Sequence, residues 1–312
     1  MEEIMDLAKE FSLYVIEDNA QAIGAKYTFS DGTVKSTGTI GHIGTTSFFP
    51  SKNLGCYGDG GAMFTNDEEI AKNLKMIANH GQQVKYYHKV TGCNSRLDSI
   101  QAAILNIKLN HLDSYSLSRN KMARNYDENF SEIPELSIPK RQYNSTHVFH
   151  QYTLKIVPEL RNSLIDFLKE NKIPVMIYYP VPLYKQEAFS SYVNSDFKIT
   201  NVEQLCNTVF SLPIHSEIEN SSQEFIIQKV KEFFKKAFNK KPDLPEEEIR
   251  RIKIEISNLK QDISLREQQV KKLTVLANKQ DEFDLHAIHL MTDTGSQRGS
   301  LYLKQLLAMA VA

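Results

Sequence analysis

Apolar and polar positions along the first part of the chain follow the pattern of a layered α/β unit. Ile4, Met5, Leu7, Ala8 and Phe11 recur at helical spacing and predict a helix over residues 2–10. Leu13-Tyr14-Val15-Ile16 is a short β-branched and aromatic run, which predicts a buried strand running into Glu17-Asp18. The Gly-, Ser- and Thr-rich stretch from Gly24 to Gly44 predicts a loop or hairpin. Two more strands are expected over Thr45–Phe49 and Gly60–Thr65. Asp67 is placed to cap a helix that starts at Glu68-Glu69 and runs through Ile70, Leu74 and Ile77. The order helix, strand, loop, strand, strand, helix belongs to the α/β class.

Further along, the period lengthens. Ile100, Ala103, Ile104, Ile107, Leu109 and Leu112, continued by Met122, Tyr126 and Phe130, predict one long helix from Asp98. Ile133-Pro134-Glu135 ends it. A smaller α+β unit is expected next. It has strands over 147–156, 173–179 and 210–214, and helices over 161–170 and 221–238. Lys240-Lys241-Pro242-Asp243-Leu244-Pro245 reads as a linker. Beyond it, Ile249, Ile252, Ile256, Leu259, Ile263, Val270, Leu273 and Ala277 alternate at three and four, with Arg266 as the polar exception. That spacing fits a coiled coil or an amphipathic helix folded back on the protein. The division is therefore 1–132, 133–239 and a helical tail over 240–312.

Composition narrows the class. Hydrophobic content of 41% and charged content of 24% over 312 residues allow two domains with real cores. A net charge of -1 gives no basic field for nucleic acid or anionic membrane. No apolar run is long enough to span a bilayer, and Met1-Glu2-Glu3-Ile4-Met5-Asp6 has no signal-peptide character. Cys56, Cys93 and Cys206 lack metal-ligand spacing, and His147, His150 and His215 form no metal pattern. Reduced thiols, packing histidines, no metal and a cytoplasmic location are expected.

The candidate chemistry centres on Ser47-Phe48-Phe49-Pro50-Ser51-Lys52-Asn53-Leu54-Gly55-Cys56-Tyr57-Gly58-Asp59-Gly60-Gly61. A strand that delivers one lysine to a glycine-lined turn suits a Schiff-base lysine, whose amine must be free to attack a carbonyl. By itself Lys52 reads first as a surface lysine, and the neighbouring motifs change that reading. Glu17-Asp18 ends a strand where α/β sheets bind ligands, but on this segment alone a solvated loop or helix cap is the favoured reading.

Taken together these runs resemble the DegT/DnrJ/EryC1/StrS family of sugar aminotransferases. The matching stretches are Val15 through Ala25, Ser47 through Gly61, Asn79-His80-Gly81, and Gly92 through Asp98 followed by Gln101-Ala102-Ala103. Tyr178-Tyr179-Pro180 and Leu212-Pro213-Ile214-His215 fit the small domain. The resemblance covers residues 1–238. It implies a pyridoxal 5'-phosphate (PLP) cofactor and an α/β fold: an incomplete fold type I transferase large domain followed by a smaller α+β domain. Lys52 matches the catalytic, cofactor-binding lysine, and Asp18 the partner of the pyridine nitrogen. Ala20 matches the residue beneath the ring, and Gln21 the partner of the phenolic oxygen. Ser47 matches a phosphate ligand. Asn94 matches a residue reaching the phosphate in the neighbouring subunit, which implies a homodimer.

The implied reaction moves an amino group from glutamate to a keto group on a nucleotide-linked sugar, in surface polysaccharide or amino-sugar biosynthesis. Gln21 in place of His points to a 3-keto sugar, and Lys52 disfavours the related PLP-dependent sugar dehydratases. Family members carry a segment before the strand that ends at Asp18, including a phosphate-binding turn. On that ground the 312-residue chain alone is expected to be a poor transaminase. A decayed enzyme core displayed on a coiled coil, acting as an interaction protein, is the alternative.

Overall fold

In the computed structural model, the described residues are 1–194, 197–239 and Ile254. The chain divides into two compact units, Met1–Asn239 and Lys240–Ala312. The coiled-coil spacing and the tail helix expected after residue 240 lie outside the described residues.

The first unit opens with helix α1 (Glu2–Glu10) and strand β1 (Ile16–Asp18). A hairpin follows, β2 (Lys26–Thr28) and β3 (Val34–Ser36), and then β4 (Ile43–Ser47) and β5 (Gly61–Phe64). β1 and β4 are parallel, with Asp18 opposite Thr45, and β5 is antiparallel to β4, giving the order β1-β4-β5. Helix α2 (Glu68–Ala78) is capped as expected: Asp67 Oδ1 accepts the Ile70 N–H at 2.9 Å. A small hairpin, β6 (Gln82–Val84) and β7 (Tyr87–His88), leads to helices α3 (Ser99–Leu109) and α4 (Leu112–Phe130).

The remainder is built on β8 (Leu136–Ser137) and β9 (Tyr152–Ile156), helices α5 (Pro158–Glu170) and α6 (Thr200–Thr208), β10 (Val209–Leu212) and α7 (Asn220–Asn239). β10, β9 and β8 form an antiparallel sheet. Its core contains Tyr126, Phe130, Phe149, Tyr152, Leu154 and Phe210, all fully buried. A second, smaller cluster joins Phe48, Leu54, Cys56, Leu105 and Leu112. It underlies the lysine-bearing stretch and anchors it to α3 and α4.

Four expectations from the pattern do not hold. The run Leu13–Ile16 is not a buried strand: the strand is Ile16–Asp18, and Leu13, Tyr14 and Ile16 are exposed. β1 pairs only with β4 among the described residues, so nothing there covers the apolar run. The single long helix is two, separated at Asn110-His111. Asn and His are weak helix formers, and the break lets Leu105 and Leu112 enter one cluster while Met122, Tyr126 and Phe130 enter the other. Ile100 and Ile107 of the expected apolar face are exposed. Residues 173–179 form no strand, only one bridge from Met176 to Ser211, on the edge of β10 opposite β9. Helix α6 carries no readable period, because among its residues only Cys206 and Thr208 are buried.

Candidate active site

Strand register brings the first part of the site together. Asp18 and Thr45 are paired across β1 and β4, and Ser47 lies two residues beyond Thr45. Side chains alternate along a strand, so Asp18, Thr45 and Ser47 share one face of the sheet. Asp18 is exposed there. Its Oδ1 accepts the Ala20 N–H at 3.1 Å, which folds the chain into the turn that carries Ala20 and Gln21. That is an Asx turn, not a helix cap. Ser47 Oγ accepts the Phe49 N–H at 3.3 Å.

The Lys52 loop is tightly closed. Phe48 N donates to Gly60 O and Cys56 N to Phe48 O, both at 2.8 Å, and Lys52 N donates to Phe49 O at 2.8 Å. Gly55 is required by space, since a Cβ there would collide with the Pro50 carbonyl oxygen. The buried Cys56 thiol sits 3.0 Å from the carbonyl oxygens of both Phe48 and Gly58. From α3, Gln101 Oε1 accepts the Tyr57 N–H at 2.8 Å, and the Lys108 ammonium donates to Gly55 O. On this loop Lys52 is half-buried, and its amine makes no hydrogen bond and no ion pair among the described residues.

Other residues of the site were not legible from spacing. Glu17 faces away from Asp18, and its carboxylate accepts the N–H groups of Gly38 at 2.9 Å and of Ile40 and Gly41 at 2.6 Å each. Asn53, buried beside Lys52, bonds both Val148 O at 3.0 Å and His150 Nδ1 at 3.2 Å. Burial lowers the His150 pKa to about 4, helped by the charges of Lys52 and Arg119. Burial also lowers His147 and His215. The adjacency of Asn53 to Lys52 was the signal available for this part.

Asn94 stands apart. It is exposed and bridges to Asn79 at the end of α2, and no hydrogen bond joins it to Asp18, Gln21, Ser47 or Lys52. A groove of about 670 Å³ opens elsewhere, lined by Lys172, His215, Glu217 and Phe225 among others, and holds none of the expected site residues. Among the described residues no cluster of His, Cys, Asp or Glu could hold a metal, and no helix is long and apolar enough to cross a membrane.

The frame is α/β, with a strand-end carboxylate at Asp18 and, on a glycine-constrained loop, a lysine whose amine has no hydrogen-bond or ion-pair partner among the described residues. The chain belongs to the DegT/DnrJ/EryC1/StrS aminotransferase family, whose profile matches residues 1–231. It is 44% identical over 237 residues to a pleiotropic regulatory protein of Geobacillus stearothermophilus, covering 75% of this chain and 62% of that one. It is 39% identical over 220 residues to the UDP-2-acetamido-2-deoxy-3-oxo-D-glucuronate aminotransferase of Pseudomonas aeruginosa, covering 70% of this chain and 58% of that one. The crystal structure of DesV from S. venezuelae in complex with a ketimine intermediate superposes with a TM-score of 0.70 at 35% identity. That match covers 75% of this chain and 61% of the other. The chain thus spans about three-fifths of the length of these relatives.

Proposed function

We propose that this chain carries the lysine-bearing part of a PLP-dependent transaminase that acts on a nucleotide-linked 3-keto sugar, with glutamate as amino donor. The observation that carries the reading is the Lys52 amine. It is half-buried and without a hydrogen-bond or ion-pair partner among the described residues, on a loop closed at both ends. The residues present fit the cofactor: a free amine for its aldehyde, a strand-end carboxylate for its ring nitrogen, and the side chains of Gln21 and Ser47 for its oxygens. PLP when bound supplies an electron sink for the carbanion that follows loss of the donor's α-proton.

The chain's own residues set the stage for that chemistry. Asp18 offers its Oδ2, free of hydrogen bonds among the described residues, as the anion that favours a protonated ring nitrogen. Lys52 would supply the amine that holds the cofactor's aldehyde and, once released, the base that takes the donor's α-proton. Ala20, two residues after Asp18, donates its N–H to that carboxylate, and Gln21 stands exposed. The named substrate of the Pseudomonas relative, a UDP-linked 3-oxo sugar, supports the 3-keto choice.

The same reading puts Asn94 in a neighbouring subunit's site within a homodimer, for which its side chain, exposed and without a hydrogen bond among the described residues, is available. It divides the described unit at about residue 132, just past α4, whose Met122, Tyr126 and Phe130 pack into the core of the second part.

The test is borohydride reduction of the 312-residue chain with PLP, followed by peptide mass mapping. A pyridoxyl group on Lys52, absent in Lys52→Ala, is expected. No adduct, or one spread over exposed lysines, sinks the reading and favours a decayed core that serves interaction alone.

A further inference from the structure

Asn53 is buried, 7% exposed, and both ends of its amide are used by a single distant segment. Its Nδ2 donates to Val148 O at 3.0 Å. A carbonyl has no proton to give, so the amide nitrogen faces Val148 and the oxygen faces His150. That oxygen lies 3.2 Å from His150 Nδ1. Two lone pairs would repel there, so Nδ1 carries the proton and donates it. The neutral ring is left with a bare Nε2.

The segment that receives Asn53 is itself clamped. Arg119 is buried, and its Nη1 donates to Phe149 O at 3.0 Å, His150 O at 3.3 Å and Ile214 O at 2.9 Å. No ion pair to a carboxylate holds it among the described residues. Its work is therefore to gather three carbonyls from two chain segments.

We propose that Asn53 and His150 are a positioning pair for Lys52, fixing its loop against residues 148–150, with Arg119 holding that segment in place. The inference rests on the transaminase reading of Lys52. A lysine side chain has four rotatable bonds, so the direction of its Cα–Cβ bond must be set by its neighbours before the amine can meet a carbonyl. The main chain of Lys52 itself supplies one bond, to Phe49 O. The next residue, Asn53, supplies the anchor. Burial keeps His150 uncharged, with the Lys52 and Arg119 charges adding to it, so the ring orients the loop without placing a further cation beside the amine.

Two measurements on the full chain without cofactor test this. The first is nitrogen-15 NMR of the imidazoles, which should show His150 with Nδ1 protonated and Nε2 bare across about pH 6 to 8. An Nε2–H tautomer overturns the proposal. Asn53→Asp should raise the pH at which His150 titrates, because a carboxylate there favours imidazolium, and no rise also overturns it. The second is competitive acetylation by acetic anhydride, comparing Lys52 with Lys72, an exposed lysine on α2. Asn53→Ala and His150→Phe should raise the Lys52-to-Lys72 ratio about threefold, as the loop opens locally. His150→Asn puts an amide N–H where Nδ1–H stood and should restore the wild-type ratio. A role in folding alone would lower the melting temperature without moving the ratio, and an unchanged ratio overturns the pair. If a variant fails to fold, the wild-type tautomer still decides. Neither measurement uses PLP, so failure of borohydride trapping at Lys52 would sink the transaminase reading and leave these results separately readable.

Discussion

Glu17 holds Gly41 through a single oxygen: Oε1 accepts the Gly41 N–H at 2.6 Å, and the same oxygen takes that of Ile40. With Gly38 on Oε2, one carboxylate gathers three backbone donors from the turn that precedes β4. That turn presses on β4 so closely that a Cβ on Gly44 would collide with the Gly38 carbonyl oxygen. Glu17 thereby locks β1 to β4 from one face, and the alternation of the strand turns Asp18 to the other.

Replacing this carboxylate should therefore be felt twice. Glu17→Gln keeps one acceptor oxygen but sets an NH₂ group against backbone donors. It should cost about 1–3 kcal/mol, as expected for buried donors left unpaired. Urea unfolding measures this directly. PLP trapping at Lys52 should weaken in parallel, because the Asp18 face loses its register, and an unchanged unfolding midpoint would refute the locking role.

Gly55→Ala should damage the Lys52 loop specifically. The added methyl meets the Pro50 carbonyl oxygen in a loop closed by backbone bonds on both sides. A loss of about 1–3 kcal/mol is expected from strain of this kind. Hydrogen exchange should localise the faster amides to residues 48–60. Protection equal to wild type would mean that the loop has room to relax.

Stability should depend on pH through the histidines. His150 is lowered from 6.5 to about 4, with burial the first cause. Between those values the unfolded chain binds more protons at this residue than the folded one, so stability rises with pH across the window and is lost as pH falls. His147 and His215 are lowered too and act in the same direction. Glu232, lowered from 4.5 to about 2 by Lys229 and Lys236, adds in the same direction only at the acid end of this window. Urea midpoints from pH 4 to 7 should climb in wild type and climb less steeply in His150→Asn. Identical profiles would show that His150 titrates as freely folded as unfolded.

Asp18→Asn separates binding from chemistry. The amide keeps the shape of the side chain and can still accept the Ala20 N–H that forms the turn, but it carries no charge for the ring nitrogen. Borohydride should still fix PLP on Lys52, while exchange of the glutamate α-proton in deuterated water, followed by NMR, should slow about a hundredfold or more. Exchange at the wild-type rate would return Asp18 to a turn-forming role only.

The amino-acid sequence by itself determined the parts whose physics is local. Asp67 was recognisable as a helix cap because capping needs only a side-chain oxygen three residues before a free N–H. Lys52 and Asp18 stood out because glycine-rich turns and strand-end acids are short-range signals, and the α/β layering followed from runs a few residues long. Tertiary structure decided the rest. The Asn53–His150 bond spans 97 residues and the Arg119–Ile214 bond 95. No period along the chain encodes a hydrogen bond between two loops. The same holds for burial: Leu13-Tyr14-Val15-Ile16 reads as core, yet Leu13, Tyr14 and Ile16 are exposed. An apolar run fixes only what a strand prefers, whereas burial depends on which other elements pack against it.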